Sequence, residues 1–394
     1  MDFRLSEEEK LIKDTAAQFV NRELLSREGA YLKQKELFLP PGDPPRRELD
    51  PEVRKTLGER ARSIGLWALE LPEAVGGSPL NAVARVLVHR EFGRSVLPFE
   101  PPIIPKVVVS SRSAEKLCNG ERTISLVFDE THKTGLLGDI KTRFRPVAGG
   151  FVLKSAPIDV YDPEADLFLI PAREEGIGRV SLFVLDRDAV GLSIEETGDL
   201  TTDAQVAKIT LRDCKAETHQ LVGHEYEARE VIATEQLRIA GRSLGIGMRC
   251  LASSLAHASN RVTFGRPLAS RQAIQWMLAD LSITLRSCTW LTLEVAWKAD
   301  QALPYFDAAA LAKKRSANMA FEAADTAIQI HGGYGVCKEF PFEGFYREAR
   351  MMRLLYGRED ELNRAIGQRF LRMEEGAGSG EHGARSMEHR TRSD

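Results

Sequence analysis

The chain has 394 residues, 43% of them hydrophobic and 28% charged, with a formal net charge of −3. These are ordinary globular values, ample for a sizeable core and for two or three structural domains. Neither nucleic acid nor an anionic membrane is indicated by the charge, no apolar run approaches a membrane span, and the N-terminus Met1-Asp2-Phe3-Arg4-Leu5 lacks an apolar signal core, so a cytoplasmic protein is expected.

Residues 1–118 read as a helical domain. Ser6 with Glu9 makes a capping box ahead of Leu11, Ile12 and Phe19. Leu37–Arg47, with Pro40, Pro41, Pro44 and Pro45, is expected to be a loop. Asp50-Pro51 supplies a second helix start; Val53, Leu57, Ala61 and Ile64 follow at helical spacing, and Gly65 stops the helix. Leu66–Leu71 reads as a buried connection ended by Pro72 and Gly76-Gly77, and Ser78-Pro79 as a further cap before Val83, Val86 and Leu87.

The texture changes over residues 119–222. Thr123–Phe128, Phe151–Lys154, Leu167–Ala172, Ser181–Leu185 and Gln205–Leu211 are short β-rich runs, and Ala148-Gly149-Gly150 reads as a hairpin turn. Ala207, Ile209 and Leu211 alternate with Lys208 and Thr210, the period of a half-buried strand. A small barrel or sandwich is predicted. Residues 223–373 return to long helical periodicity, which Pro267, Pro304 and Gly332-Gly333 divide into at least four helices of lengths suited to a bundle. Residues 374–394 carry no core-forming pattern and are expected to be a disordered tail. The predicted fold class is therefore α+β: an N-terminal all-α domain, a middle β domain and a C-terminal helical bundle. That order alone names no chemistry.

The five cysteines, Cys118, Cys214, Cys250, Cys288 and Cys337, are scattered and form no C-x-x-C pair; reduced core thiols are expected, with no metal site. No G-x-G-x-x-G follows a strand, and Gly245-Ile246-Gly247 inside a helical pattern reads as close helix packing.

Five motifs occur in order along the chain: Asp2-Phe3 with Leu5-Ser6-Glu7-Glu8; Gly65-Leu66-Trp67-Ala68 with Leu71-Pro72-Glu73 and Gly76-Gly77; Glu91-Phe92-Gly93-Arg94; Arg261-Val262-Thr263-Phe264-Gly265-Arg266-Pro267-Leu268 with Gln272-Ala273-Ile274-Gln275; and Gln329-Ile330-His331-Gly332-Gly333-Tyr334-Gly335 with Pro341 and Tyr346-Arg347-Glu348-Ala349-Arg350. Over residues 2–372 the chain thereby resembles the acyl-CoA dehydrogenases, flavoenzymes that introduce a double bond between Cα and Cβ of an acyl thioester. The resemblance implies a helical domain, a β-barrel domain and a four-helix bundle, assembled as a dimer or tetramer.

It also implies FAD shared across a subunit interface. Arg261 would meet the pyrophosphate, for which a guanidinium supplies fork-shaped donors. Thr263 and Phe264 would support the same end, and Gln329 and Gly333 would touch the adenosine side of a neighbour's FAD. Where the family carries a tryptophan against the flavin, this chain has Val160-Tyr161, and it has no tryptophan between residues 68 and 275. Its Val127-Phe128-Asp129-Glu130 and Thr131-His132-Lys133-Thr134-Gly135 also depart from the family's barrel motifs.

α,β-Dehydrogenation needs a carboxylate beside the thioester α-carbon, because burial can raise its pKa towards neutrality. Most of the family carries that glutamate where this chain has Tyr356 or Gly357, and neither can serve. Glu359 and Asp360 nearby read as solvated acids at a helix start. Gly357 in that place is expected to widen the pocket for an α-branched or bulky acyl group, and the N–H groups of Tyr356-Gly357-Arg358 to polarise the thioester carbonyl. The isovaleryl-CoA and long-chain types place the glutamate on a helix of the C-terminal domain, before an arginine and an Ala-Gly turn. Glu235-Gln236-Leu237-Arg238-Ile239-Ala240-Gly241 matches that spacing, so Glu235 is the candidate base; Gln236 stands where the arginine is expected.

The activity implied is dehydrogenation of an acyl-CoA, with electrons passed to an electron-transfer flavoprotein. Two other readings stay open: a catalytically idle or acyl-CoA-binding subunit paired with an active paralogue, and a flavin oxidase or monooxygenase on the same scaffold.

Overall fold

The computed structural model describes residues 4–34, 49–128, 137, 140–199, 205–368 and 371. The expected proline-rich loop, the segment Thr131–Gly135 and the expected tail all lie outside the described residues.

Helix α1 (Glu7–Phe19) begins at Ser6 with the expected capping box and runs through π-helical turns at Val20–Leu25 into α2 (Ser26–Gln34). Helix α3 (Pro51–Ser63) starts at Asp50, whose carboxylate accepts from the N–H groups of Glu52 and Val53. The connection at 66–71 is buried, and Gly77 lies so close beneath it that a Cβ would fall 2.1 Å from the Leu71 carbonyl oxygen.

Helix α4 (Ala82–Phe92) corrects the sequence reading. Its cap is Asn81, which accepts from the Ala84 N–H, and not Ser78-Pro79. Ser78 and Leu80 instead donate their N–H groups to Ala68 and Leu69, holding 78–80 against the buried connection. The first two orphan N–H groups of α4 go to the carboxylate of Asp300, a partner 217 and 218 residues away that no local pattern reveals. A short helix α5 (Ala114–Cys118) closes this part.

Ten strands follow: β1 (Ile124–Leu126), β2 (Arg143–Val147), β3 (Gly150–Lys154), β4 (Ile158–Val160), β5 (Leu167–Glu174), β6 (Val180–Asp186), β7 (Leu192–Asp199), β8 (Gln205–Leu211), β9 (Cys214–Glu217) and β10 (Leu221–His224). One sheet runs β10-β6-β5-β2-β3-β9 with β1 parallel to β5; the other runs β4-β8-β7. The hairpin turn is where the sequence put it, with Val147 opposite Gly150 and Gly149 at φ +82°. Between the sheets, Phe144, Phe151 and Phe183 pack edge to face at 5.0–5.7 Å between ring centres.

The C-terminal part comprises α6 (Glu225–Asn260), a small hairpin of β11 (Val262–Thr263) and β12 (Arg266–Pro267), α7 (Gln272–Asp300), α8 (Phe306–His331), α9 (Phe342–Met352) and a last helical stretch at 359–368. No helix among the described residues is long and apolar enough to cross a membrane. Four of the cysteines are buried and unpaired as expected; Cys337 is exposed.

Glycines set the distance between α4 and α6. A Cβ on Gly93 would lie 2.1 Å from the Arg242 carbonyl oxygen, and one on Gly245 would lie 2.1 Å from that of Arg90. A Cβ on Gly247 would lie 2.6 Å from the Met319 sulfur of α8, a side-chain neighbour that can yield more readily. Gly245→Ala therefore has to push two helices apart, with an expected cost of roughly 1–3 kcal/mol or more. The midpoint of urea unfolding measures it; an unchanged midpoint would contradict this helix separation.

Candidate active site

Glu235, Arg238, Ile239 and Arg242 share one face of α6 at spacings of three, four and seven residues. Glu235 is 1% exposed. Its Oε2 accepts from Arg238 Nε at 3.0 Å, and Arg238 Nη1 reaches Glu100 Oε2 at 3.0 Å. Glu100 Oε1 lies 3.0 Å from His89 Nδ1, and Arg242 Nε bonds Glu348 of α9. The sequence pairing of Gln236 with the expected arginine position resolves differently in space: Arg238, one turn further on, is the partner of Glu235. Gln236 turns away and donates to the Tyr356 carbonyl at 2.9 Å.

The two buried carboxyls are pushed apart. Burial raises the pKa of Glu235, and Arg238 offsets this only in part, so the net shift is upward. Burial alone would do the same to Glu100, but Arg242, Arg238 and the His89 hydrogen bond outweigh it and hold that carboxyl well below the ordinary range. Neighbouring acids with opposed shifts are the pattern of a divided acid–base role.

Two cavities meet at Arg238. A small one of about 20 Å³, room for one water, is lined by Glu235, Glu70, Arg85 and His89. A larger one of about 440 Å³ lies between Arg238 and Arg242 of α6, Glu348, Leu355, Glu100 and Tyr161 at the end of β4. That is the size of a small-molecule site. Val160 is buried within its sheet; Tyr161 is the residue of that pair that reaches the cavity. Glu70, also raised in pKa by burial, escaped the sequence reading. Its signal was there: it is the one acid inside the apolar run Leu66–Leu71. Glu100 and His89 gave no such signal.

The candidate cofactor residues gather elsewhere. Arg261 follows the last turn of α6, Thr263 and Phe264 lie in and beside the β11–β12 hairpin, and Gln329 and Gly333 lie at the end of α8. The rings of His257 and His331 pack at 4.3 Å and join the two helix ends. Phe264 is 98% exposed at φ +50°, Arg271 lies over its ring, and a Cβ on Gly332 or Gly333 would meet nothing within 4 Å. Arg261 is exposed, and its guanidinium makes no hydrogen bond or ion pair with a described residue. This open cradle with an unengaged guanidinium fits a phosphate-bearing ligand approaching from outside. Yet Arg261 is 26 residues from Glu235 on one helix, about 39 Å along its axis. A single flavin dinucleotide does not span that distance, so the chain does not bring its own cofactor cradle to its own candidate base.

Family models for the N-terminal and C-terminal domains of acyl-CoA dehydrogenases match residues 6–109 and 226–371. The chain belongs to the acyl-CoA dehydrogenase family. It is 25% identical to the (R)-benzylsuccinyl-CoA dehydrogenase of Thauera aromatica over 94% of this chain and 97% of that one. Its fold is shared with the butyryl-CoA dehydrogenase of Megasphaera elsdenii (TM-score 0.76, 21% identity, covering 94% and 100%). It is likewise shared with a chain of the ChsE4–ChsE5 complex of Mycobacterium tuberculosis (TM-score 0.79, 21% identity, 94% and 99%). The protein is accordingly a flavoprotein oxidoreductase acting on a CH–CH bond, with FAD as its cofactor.

Within an acyl-CoA dehydrogenase, the turn after α9 is unusual here. Tyr356 and Gly357 both have positive φ, +49° and +112°, and a Cβ on Gly357 would lie 2.7 Å from Leu362 Cδ2. The expected widening of the pocket at Gly357 is thus corrected: Leu362 already fills that space. Glu359 is not simply solvated either. It bonds Arg353 and Asn318, which hold its carboxyl down to about 2. Lys313 of α8, 1% exposed, donates to the carbonyls of Gly357 at 2.7 Å and Arg353 at 3.2 Å, and burial depresses its pKa to about 7.

The unfolded chain therefore holds a proton on this lysine between pH 7 and its ordinary pKa near 10.5 that the fold partly sheds. Stability from this group rises with pH through that window and is lowest below pH 7. Lys313→Met should abolish that rise and lower stability at alkaline pH, where two carbonyls lose a donor that carries no burial penalty. Thermal unfolding against pH for both proteins checks it; parallel profiles would contradict the assignment.

Proposed function

We propose that this chain is an FAD-dependent acyl-CoA dehydrogenase whose base is Glu235. The observation that carries the reading is the buried carboxyl on α6, raised in pKa and separated from a ligand-sized cavity by its partner Arg238, while the more usual base position is a turn without an acid. Bound FAD would supply the acceptor for the hydride leaving the substrate β-carbon. Glu235 removes the α-proton, and burial makes its carboxylate basic enough for the task. Arg238 fixes the orientation of that carboxylate and stabilises its charged form. The Tyr356-Gly357-Arg358 backbone lies beside the same face, held by Gln236 and Lys313.

The FAD cradle at Arg261, Thr263, Phe264, Gln329 and Gly333 serves a second copy's Glu235, which makes the active unit an oligomer. The face of α7 supports this: Trp276, Ile283, Trp290 and Trp297, each seven residues apart, are 44–64% exposed in the single chain. An electron-transfer flavoprotein is the proposed acceptor. One observation favours a second reading, an idle subunit paired with a paralogue: Arg238 stands between Glu235 and the larger cavity.

Glu235→Gln should keep FAD and its yellow colour but slow anaerobic bleaching by acyl-CoA about 10²–10⁴-fold. In the parent protein, bleaching should accelerate with pH through a value above the ordinary carboxylate range. Normal bleaching by the variant would remove Glu235 as base; protein that takes up no FAD would favour the idle subunit, and rapid reoxidation by air with peroxide release an oxidase. Arg261→Gln should lose FAD on gel filtration with the Glu235 network intact; undiminished flavin content would place the pyrophosphate elsewhere.

A further inference from the structure

The larger cavity is lined by unusual company for a hydrocarbon chain. Four guanidinium groups, of Arg54, Arg238, Arg242 and Arg347, face it against two carboxylates, of Glu100 and Glu348. Arg242 is 6% exposed. Its Nε is used by Glu348, but its Nη1 has no hydrogen-bond partner among the described residues and lies 3.8 Å from Glu100 Oε1, beyond bonding range. A buried donor without an acceptor is costly, and a saturated chain beside it would leave it so. The same cavity also carries an apolar side, with Phe99, Ile239, Met352 and Leu355. Arg242 lies seven residues beyond Glu235 on the same face of α6, about 10 Å along the axis.

We propose that the acyl group of the substrate carries a second, free carboxylate, which the Arg242 guanidinium receives while the carbon chain lies along the apolar side. This rests on the dehydrogenase reading, since it takes the larger cavity, which Arg238 separates from Glu235, as the acyl site. A carboxylate suits the donor: charge-assisted bonds from arginine are the strong ones, and their geometry is fixed by the planar fork. The CoA phosphates do not answer the same description, because every acyl-CoA carries them, whereas the buried Nη1 sits about two turns along α6 from the proposed base.

The test is calorimetric binding to the FAD-loaded protein of matched pairs of four- to six-carbon thioesters, one member a plain acyl-CoA and the other ending in a carboxylate. The carboxylate member should bind about tenfold tighter or better, the worth of one good charge-assisted bond. Arg242→Met should bring that ratio close to one, and Arg242→Lys should restore part of it. Flavin content and circular dichroism of both variants exclude a folding failure, and the parent's ratio stands without them. Equal binding, a preference for the plain thioester, or a preference that survives Arg242→Met would overturn the proposal. Bleaching by plain acyl-CoA alongside equal binding would overturn it while leaving the dehydrogenase reading in place; tight carboxylate binding without bleaching would do the reverse.

Discussion

A glutamate, two arginines and a second glutamate meet on the buried face of α6, where water does little to screen them. Glu235, Glu100 and Glu348 are set against Arg238, Arg242 and His89. Glu100 sits between both arginines and His89, which hold its pKa down; Glu235 has a single bonding partner, is the most buried and is shifted upward. In a low-dielectric interior such differences are sharp, because each unpaired charge is expensive. The chemistry proposed for Glu235 is therefore a property of the whole cluster. The cluster in turn depends on glycine: Arg242 presents its carbonyl to Gly93 at a separation that leaves no room for a side chain, so α4 and the segment after it bring Glu100 within reach of Arg238.

The length of α6 imposes a second constraint. Its middle carries the acid cluster and its end the proposed cofactor cradle, and the rigid helix keeps them apart. On the proposed reading a chain built this way is incomplete alone: two copies related by a two-fold axis would place each cradle against the other's cluster, and the exposed tryptophan stripe of α7 offers apolar area for such an assembly to cover. Folding, flavin retention and association would thereby be coupled.

Much of this was legible in the sequence, and the limits follow from physics. The caps at Ser6 and Asp50 are local signals and stand; the cap at Asn81 is equally local, though the sequence reading places it at Ser78-Pro79, and Asp300, which takes the N–H groups of Ala82 and Val83, is supplied only by the tertiary fold. Five strands carry enough apolar residues to declare themselves. The others do not: β4 has three residues, β9 and β10 four each, and β2 and β7 are rich in arginine or glutamate, with a proline in β2. Glu235 was singled out by its spacing to Ala240-Gly241, and Arg238, at i+3 on the same helix, was within reach of a sequence reading as the replacement for the arginine missing at Gln236. Lys313 gave no signal at all. It adjoins Lys314 and reads as a surface pair until the carbonyls it binds come into view.

The turn after α9 bears on why the proposed base would sit on a helix. Position 357 needs a positive φ and the absence of a Cβ, since Leu362 occupies the space where one would go. Position 356 is also held left-handed, a conformation that costs a non-glycine residue energy and persists only where the surroundings enforce it. Gln236 and Lys313 enforce it from two different helices by taking the carbonyls at 353, 356 and 357. A segment so fully committed to its backbone bonds has no freedom to aim a carboxylate. On α6, by contrast, the backbone satisfies itself, the side chain leaves in a fixed direction, and Arg238 one turn away orients it without any demand on a loop. Moving the acid from turn to helix thus removes the conflict between holding the turn and positioning the base.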